Sequence, residues 1–285
     1  MAKKKTIDDY KEAGRIDASF FLLLVLAILF LVPVFMVLMN SFKGTAYVST
    51  EPFKFLTSTN FVKLKNYAVG LQRTDFFKAF GYSLFITIGS VIVIIVFTSM
   101  TAWMITRLKN KLTNAIYYMF AFSMIVPFQM VMFTMSFMAN RLHLDNPVGI
   151  ILIYLGFGAG LSVFMFCGFI KAIPTEIEEA AMIDGCNPLQ IFFSVVMPIL
   201  KPTAITVAIL QTMWIWNDYL LPTLVIGSNY RTIPIAIQYL RGGYGSIDWG
   251  AMMAMLVLAI LPIIIFYLCC QKYIIDGVVA GAVKG

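Results

Sequence analysis

Apolar positions run along this chain in unbroken blocks. Residues 18–39, 79–106, 112–140, 146–170 and 249–271 contain no Asp, Glu, Lys or Arg. Residues 202–226 form a sixth block, interrupted by one acid, Asp218. A helix crosses the hydrocarbon core of a bilayer with about 20 apolar residues, and every block is long enough. Barrel strands would alternate apolar and polar residues over about 10 positions, and no block alternates. The pattern predicts an all-α membrane protein with six transmembrane helices over 18–271. A charged segment, 1–17, precedes them and a tail, 272–285, follows.

Composition agrees with this reading. Of 285 residues, 60% are hydrophobic and 12% charged, against roughly 25% charged in soluble domains. An even number of spans puts both termini on one side. If that side is cytoplasmic, the inner segments are the N-terminus, 107–111, 171–201 and the tail. The short loops decide the orientation, because basic residues near span ends favour the inside. "RLKNK" (107–111) and "KKK" (3–5) both point to N-in and C-in. These anchors account for part of the net charge of +7, which therefore calls for no nucleic acid. The first apolar run is too long for a cleaved leader, and no A-x-A site follows it.

Little in the sequence suggests chemistry on this chain itself. The cysteines at 167, 186, 269 and 270 have no metal-site spacing and lie in no predicted outer loop, so they read as small membrane or cytoplasmic residues. The single histidine, His143, sits in a short outer turn without an acid or thiol partner nearby. No glycine-rich loop ending in Gly-Lys-Ser/Thr is present. An enzyme is disfavoured, and any ATP hydrolysis would have to come from another chain. An ion-coupled carrier usually needs several intramembrane ionisable groups. One acid and no internal repeat disfavour a self-contained transporter or channel, which stands as the alternative.

Several breaks interrupt the apolar blocks. Pro127 and Gln129 fall inside the third, as a packing kink or a pathway-lining distortion. Gly156, Gly158 and Gly160 in the fourth suit close helix packing. The connection 40–78 is polar with scattered aromatics and is too short for a separate domain.

Between the fourth and fifth blocks, about 172–201, lies "IPTEIEEAAMIDGCNPLQIFFSVVMPILKP". Thr175 and Glu178 have capping-box spacing. Three glutamates occupy the first turns, where the helix dipole favours negative charge. Ile177, Ala180, Ala181 and Asp184 share a face of small residues, with Glu179 and Asp184 at its edges. Gly185 suits the left-handed position that ends a helix. Asn187 caps a second helix with Pro188 at its first position, and Pro198 and Pro202 are expected to stop it. One reading is an amphipathic helix lying on lipid with "LQIFFSVVM" buried. The other is a docking element for a soluble partner.

Glu179-Ala180-Ala181, Gly185 and Met197-Pro198 resemble the EAA loop of permease subunits of bacterial ATP-binding cassette importers. "WNDYLLPTLVI" (216–226), "RTIPIAIQYL" (231–240) and "GVVAGAVKG" (277–285) are similar to the carbohydrate-importer branch that includes the smaller maltose-transporter permease. The resemblance spans the chain and is strongest from about residue 146. It implies a type I importer bundle with a cytoplasmic coupling helix, in a bacterial cytoplasmic membrane. The implied partners are a second permease, two copies of an ATPase that binds ATP and Mg, and an extracytoplasmic solute-binding protein. This chain would bind no cofactor. Residue by residue, Glu179 would pair with a basic group on the ATPase. Ala180 and Ala181 would permit close docking beside Asp184, Gly185 would make the corner, and Pro198 completes the motif. Lys284 in the tail would also reach the ATPase.

The resemblance also points outward. Tyr239, Arg241 and Tyr244, in "QYLRGGYGSIDWG", would contact the binding protein, unless that segment is an ordinary re-entrant turn. Gln211, Trp214, Asn217 and Asp218, with Trp216, form a polar-aromatic cluster of the kind that suits sugar hydroxyls and C–H faces. Trp214 and Asp218 are four apart and would share a face. Asp218 could equally sit near the outer end of its span, wetted or paired across a permease interface.

Overall fold

The computed structural model of the chain describes residues 18–227, 229–241 and 246–282, with side chains over 20–227, 229–241 and 246–272. The first two apolar blocks become single helices, the first of them despite Pro33: α1 Ala18–Asn40, then, after α2 Thr45–Thr50 and α3 Lys65–Thr74, α4 Phe76–Leu108. Beyond α5 Lys111–Ser123 and α6 Phe128–Arg141 comes α7 Gly149–Ile170. The segment after α7 holds α8 Glu176–Ile183 and α9 Pro188–Ile199. The chain continues through α10 Lys201–Asn217, α11 Leu220–Val225, α12 Ile233–Gln238 and α13 Trp249–Ala282. Lys43 and Phe61 form an isolated antiparallel β bridge.

Among the described residues, four helices (α1, α4, α7 and α13) are long and apolar enough to cross a membrane unbroken. Two further pairs of helices pass the same test together but are sharply bent, each as a broken span or a re-entrant loop. The run 112–140 does not form one helix: α5 and α6 meet at 106°. Proline supplies the reason. Pro127 adopts extended backbone at the start of α6, and a residue before proline avoids the helical region. Likewise α9 and α10 meet at 77°. Counting each pair as one span gives six.

One further expectation fails in the same region. The run 202–226 is not one helix, because α10 ends at Asn217 and Asp218 is extended (φ −72°, ψ 124°). The second loop helix ends at Ile199, between Pro198 and Pro202 as expected, one residue past Pro198. Residues Ile191–Val196 wind as a π-helix, with the Met197 N–H donating to the Phe192 carbonyl, and the helix runs on through Pro198 to Ile199. The wider winding bonds five residues back instead of four.

The described residues divide into two compact units, one of residues 18–70 and 246–258, the other of 71–227, 229–241 and 259–282. In the first, the connection after α1 is tightly bonded. Lys43 is buried and donates from Nζ to the carbonyls of Glu51 (3.0 Å) and Pro52 (3.3 Å). Asn66 donates to the carbonyls of Ser41 and Lys43. The Thr45 hydroxyl donates to Asp248 Oδ1 at 2.8 Å.

In the second unit, α4 and α7 pack along their length, with α5 and α10 against them. Their core joins Ile86, Ile94, Ala102, Tyr154, Phe166, Val207 and Ile215. Of Gly156, Gly158 and Gly160 in α7, two mark close approaches. A Cβ on Gly158 would meet Ile94 Cδ1 at 2.7 Å, and one on Gly160 would meet Ser123 Oγ at 2.6 Å and the Phe120 carbonyl at 2.9 Å. Gly156 has nothing within 4 Å and carries no such contact. Gly160→Val is therefore expected to cost about 1–3 kcal/mol through overpacking, read as a lower thermal midpoint in detergent. Gly156→Val should leave that midpoint unchanged. Equal midpoints for the two variants would contradict this packing account.

Candidate functional site

The segment between α7 and α10 is built as the sequence suggests at its corner and differently at its start. At Gly185 φ is +85°. The Cys186 N–H donates to the Ala181 carbonyl and the Gly185 N–H to the Met182 carbonyl, both at 3.0 Å. This is a Schellman closure of α8, in which glycine takes the left-handed position without a Cβ penalty. The box at α9 is also complete: Asn187 Oδ1 accepts from the Gln190 N–H, and Gln190 Oε1 accepts from the Asn187 N–H. Helix, glycine corner and helix are thus local consequences of the sequence.

The capping box at Thr175 does not form, and Thr175 makes no side-chain cap. Glu178 has a different partner set. It is only 5% exposed. Its Oε1 accepts from Arg107 Nε at 2.9 Å and Nη2 at 2.7 Å, and its Oε2 accepts from Trp103 Nε1 at 2.9 Å. Arg107 Nη2 also donates to the Ile173 carbonyl at 3.1 Å. A carboxylate held by a guanidinium fork outcompetes a neutral backbone N–H, because charge-assisted bonds are roughly twice as strong. Both Arg107 and Trp103 belong to the last turns of α4. With 33 residues, α4 is about 50 Å long at 1.5 Å per residue, so it outlasts a hydrocarbon core of about 30 Å. That overhang allows it to reach α8.

The inward face of α8 is Glu178 and Ala181, and Ala181 joins the core with Ile173, Ile191, Phe192, Val196 and Leu200. The predicted face of Ile177, Ala180, Ala181 and Asp184 is therefore split, with Ala181 inside and the other three exposed. The stretch "LQIFFSVVM" does not lie on lipid as a whole, since Ile191, Phe192 and Val196 are buried in the protein, while Leu189 and Phe193 are exposed. What faces outward is an apolar corner rimmed by acid. Ile183 is 86% exposed, Met182 and Leu189 are also exposed, and Glu179, Asp184 and Gly185 surround them. The sequence reading missed Met182 and Ile183. Their position beside the left-handed glycine was the available signal. Pro198 is not brought to this corner. It lies ten residues along α9 and lines an apolar groove of about 420 Å³ with Ile95, Phe193, Met197 and Lys201.

The second cluster forms where α10 breaks. Tyr154 of α7 donates its hydroxyl to Asp218 Oδ2 at 3.0 Å. Trp214 packs edge-on against the same ring, centroids 5.4 Å apart. Asp218 Oδ1 accepts from the N–H groups of Leu220 (3.0 Å) and Leu221 (3.3 Å), so it caps α11. Trp214 and Asp218 therefore meet through Tyr154, which sequence reasoning did not single out. The other members are placed elsewhere. Gln211 is buried and donates to Ser162 Oγ and the Gly158 carbonyl, while its Oε1 has no partner. Asn217 is exposed and donates back to the Met213 carbonyl. Trp216 is buried, with Nε1 donating to the Ala259 carbonyl.

A third group lies around α12. The Arg231 guanidinium stacks 3.7 Å from the Tyr239 ring centroid. Ser83 Oγ accepts from the Ile233 N–H at 2.8 Å, which fixes the start of α12 on α4. Tyr239 is half-exposed and Arg241 exposed. Tyr244 and Lys284 lie outside the described residues. Thr74, Asp75, Lys78, Tyr82, Asn229 and Arg231 line a polar cavity of about 190 Å³ near the start of α4. Among the described residues no group of His, Cys, Asp or Glu could hold a metal ion.

Residues 94–279 match the family model of the binding-protein-dependent transport system inner membrane component. A probable starch degradation products transport system permease protein of Thermoanaerobacterium thermosulfurigenes is 40% identical over 265 residues, covering 93% of this chain and 95% of that protein. A multiple sugar-binding transport system permease protein of Streptococcus mutans is 34% identical, covering 93% and 96%. The crystal structure of a bacterial ABC transporter that imports the acidic polysaccharide alginate contains a chain with the same fold. Its TM-score is 0.75 at 22% identity, over 95% of this chain and 99% of that one.

Proposed function

Given that this chain belongs to the family of binding-protein-dependent transport system inner membrane components, we propose that it is the permease subunit of an ATP-driven importer of sugars or oligosaccharides. Permeases named for starch products and multiple sugars, aligned along nearly its whole length, support the substrate class. In this reading the chain is no enzyme. It forms half of the path with a second permease, in a bacterial cytoplasmic membrane with both termini inside. A binding protein delivers the sugar, and two copies of a cytoplasmic ATPase bind ATP and Mg.

The observation that carries the coupling role is the exposed corner itself. Met182, Ile183 and Leu189 present apolar area, Ala180 leaves room for close approach, and Glu179 and Asp184 offer charge to a basic rim on the ATPase. Exposed apolar patches rimmed by polar residues mark interaction sites. Behind the corner, Glu178 ties α8 to the end of α4 through Arg107 and Trp103. A displacement of the docked corner is then passed to a spanning helix, not absorbed by a loose loop. Tyr154, Trp214 and Asp218 offer a hydroxyl, an aromatic edge and a carboxylate along the path. Tyr239 and Arg241 face the binding protein.

The test is gentle purification of the chain from its native membrane after stabilising cross-links. Recovery of an ATPase and a second permease, with the ATPase lost on Ile183→Asp or Glu179→Lys, is the expected result. Recovery of the chain alone would overturn the importer reading and favour a self-contained transporter.

A further inference from the structure

The first unit carries a surface that the importer reading does not use. Residues 53–59, after α2, are all exposed, and Phe53 is exposed by 79%. Phe55, also exposed, packs on Phe35 of α1 with centroids 6.4 Å apart. Phe35 lies five residues before the end of α1 at Asn40. At 1.5 Å per residue that places Phe55 about 7–8 Å below the end of the helix. Amphipathic elements that lie in a bilayer interface bury their apolar face to about 5–10 Å. A loop in water has no reason to fold back to that depth along a helix as apolar as α1.

Two more features of the same place agree. Phe35, Leu38, Met39, Phe42, Phe55 and Leu56 line an apolar groove of about 350 Å³, whose occupant must be apolar. Lys54, between the two aromatics in sequence, and Lys63 and Lys65, later in the same connection, are exposed. Aromatics with flanking lysines are the composition of a membrane–water interface, where the cation meets lipid phosphate and the ring meets the upper acyl chain. Lys54 forms a surface ion pair of 3.1 Å with Glu51, which engages only part of an ammonium that has three donors in all.

We propose that residues 53–56 form a lipid anchor. Phe53 and Phe55 dip into the leaflet at the C-terminal end of α1, and the groove seats a lipid acyl chain. The anchor would pin the connection at a fixed depth, and with it the bonded set of Lys43, Asn66 and Asp248. The inference holds for either orientation of the chain and does not depend on the transported solute.

The experiment places p-benzoylphenylalanine at Phe53 or Phe55 and irradiates the intact assembly in its native membrane. Intact-mass analysis then reads what has been attached. Lipid-sized additions at both positions are expected, and they should fall when lysines 54, 63 and 65 are replaced by glutamate. Attachment chiefly to another protein chain would make the surface a subunit interface and overturn the anchor. Absence of any adduct would mean exposure to water and overturn it equally.

Discussion

Arg107→Met is expected to abolish coupled transport while leaving the chain inserted. Arg107 and Glu178 are largely buried, with side chains 18% and 7% exposed. Removing one partner of a buried pair costs about 3–5 kcal/mol, because the remaining charge is uncompensated. Here Glu178 would keep only the Trp103 N–H, and the Ile173 carbonyl would lose its donor. The loss falls on the joint between α4 and α8, not on the lipid-embedded core. Limited proteolysis should show faster cutting within 171–190, and transport in proteoliposomes should drop to background. The double variant Arg107→Met with Glu178→Leu should recover much of the protease resistance, since a buried pair replaced by apolar side chains is often neutral. It should recover transport only if packing alone can carry the motion. Wild-type resistance and transport in Arg107→Met would show that the pair is idle.

Gly185→Val should reduce transport by roughly 5–30-fold. A left-handed conformation costs an L-residue about 1–2 kcal/mol, and an energy of that size changes a two-state population by a factor of about 5–30. A β-branched residue is a particular outlier there. The structure separates this strain from crowding, because a Cβ at 185 would meet nothing within 4 Å inside the chain. The matched variant is Gly185→Asn, since asparagine tolerates positive φ. Retained transport in Asn with loss in Val assigns the effect to backbone conformation. Loss in both assigns it to space that a docked partner needs. Full activity in both would remove the corner from the mechanism.

How much of this was legible beforehand depends on the range of the interaction. The Asn187–Gln190 box and the Gly185 corner involve neighbours within a few residues, and the spacing alone announced them. The Thr175 box has the same spacing and failed. Glu178 had a stronger partner in Arg107, 71 residues away, and no local pattern records such a competitor. Asp218 is similar. Its presence in an apolar run marked it as unusual, but the helix break and the hydroxyl of Tyr154, 64 residues earlier, come from the packing of α7 against α10. The division of α8 into a buried Ala181 and an exposed Ala180 is also a matter of packing. The motif residues are chemically identical, and only their direction on the helix tells them apart.

The sequence by itself determined that this chain lives in a membrane as helices. Long blocks without charge are insoluble in any other form, and backbone groups in lipid must be bonded within the segment. It also determined the helix–corner–helix between the fourth and fifth blocks, since caps and left-handed glycines act over one turn. Tertiary structure decided which glutamate faces inward, where the two bent helix pairs turn and which side chains surround Asp218. Those outcomes rest on contacts between helices far apart in sequence, where the strongest available partner wins and local propensity yields.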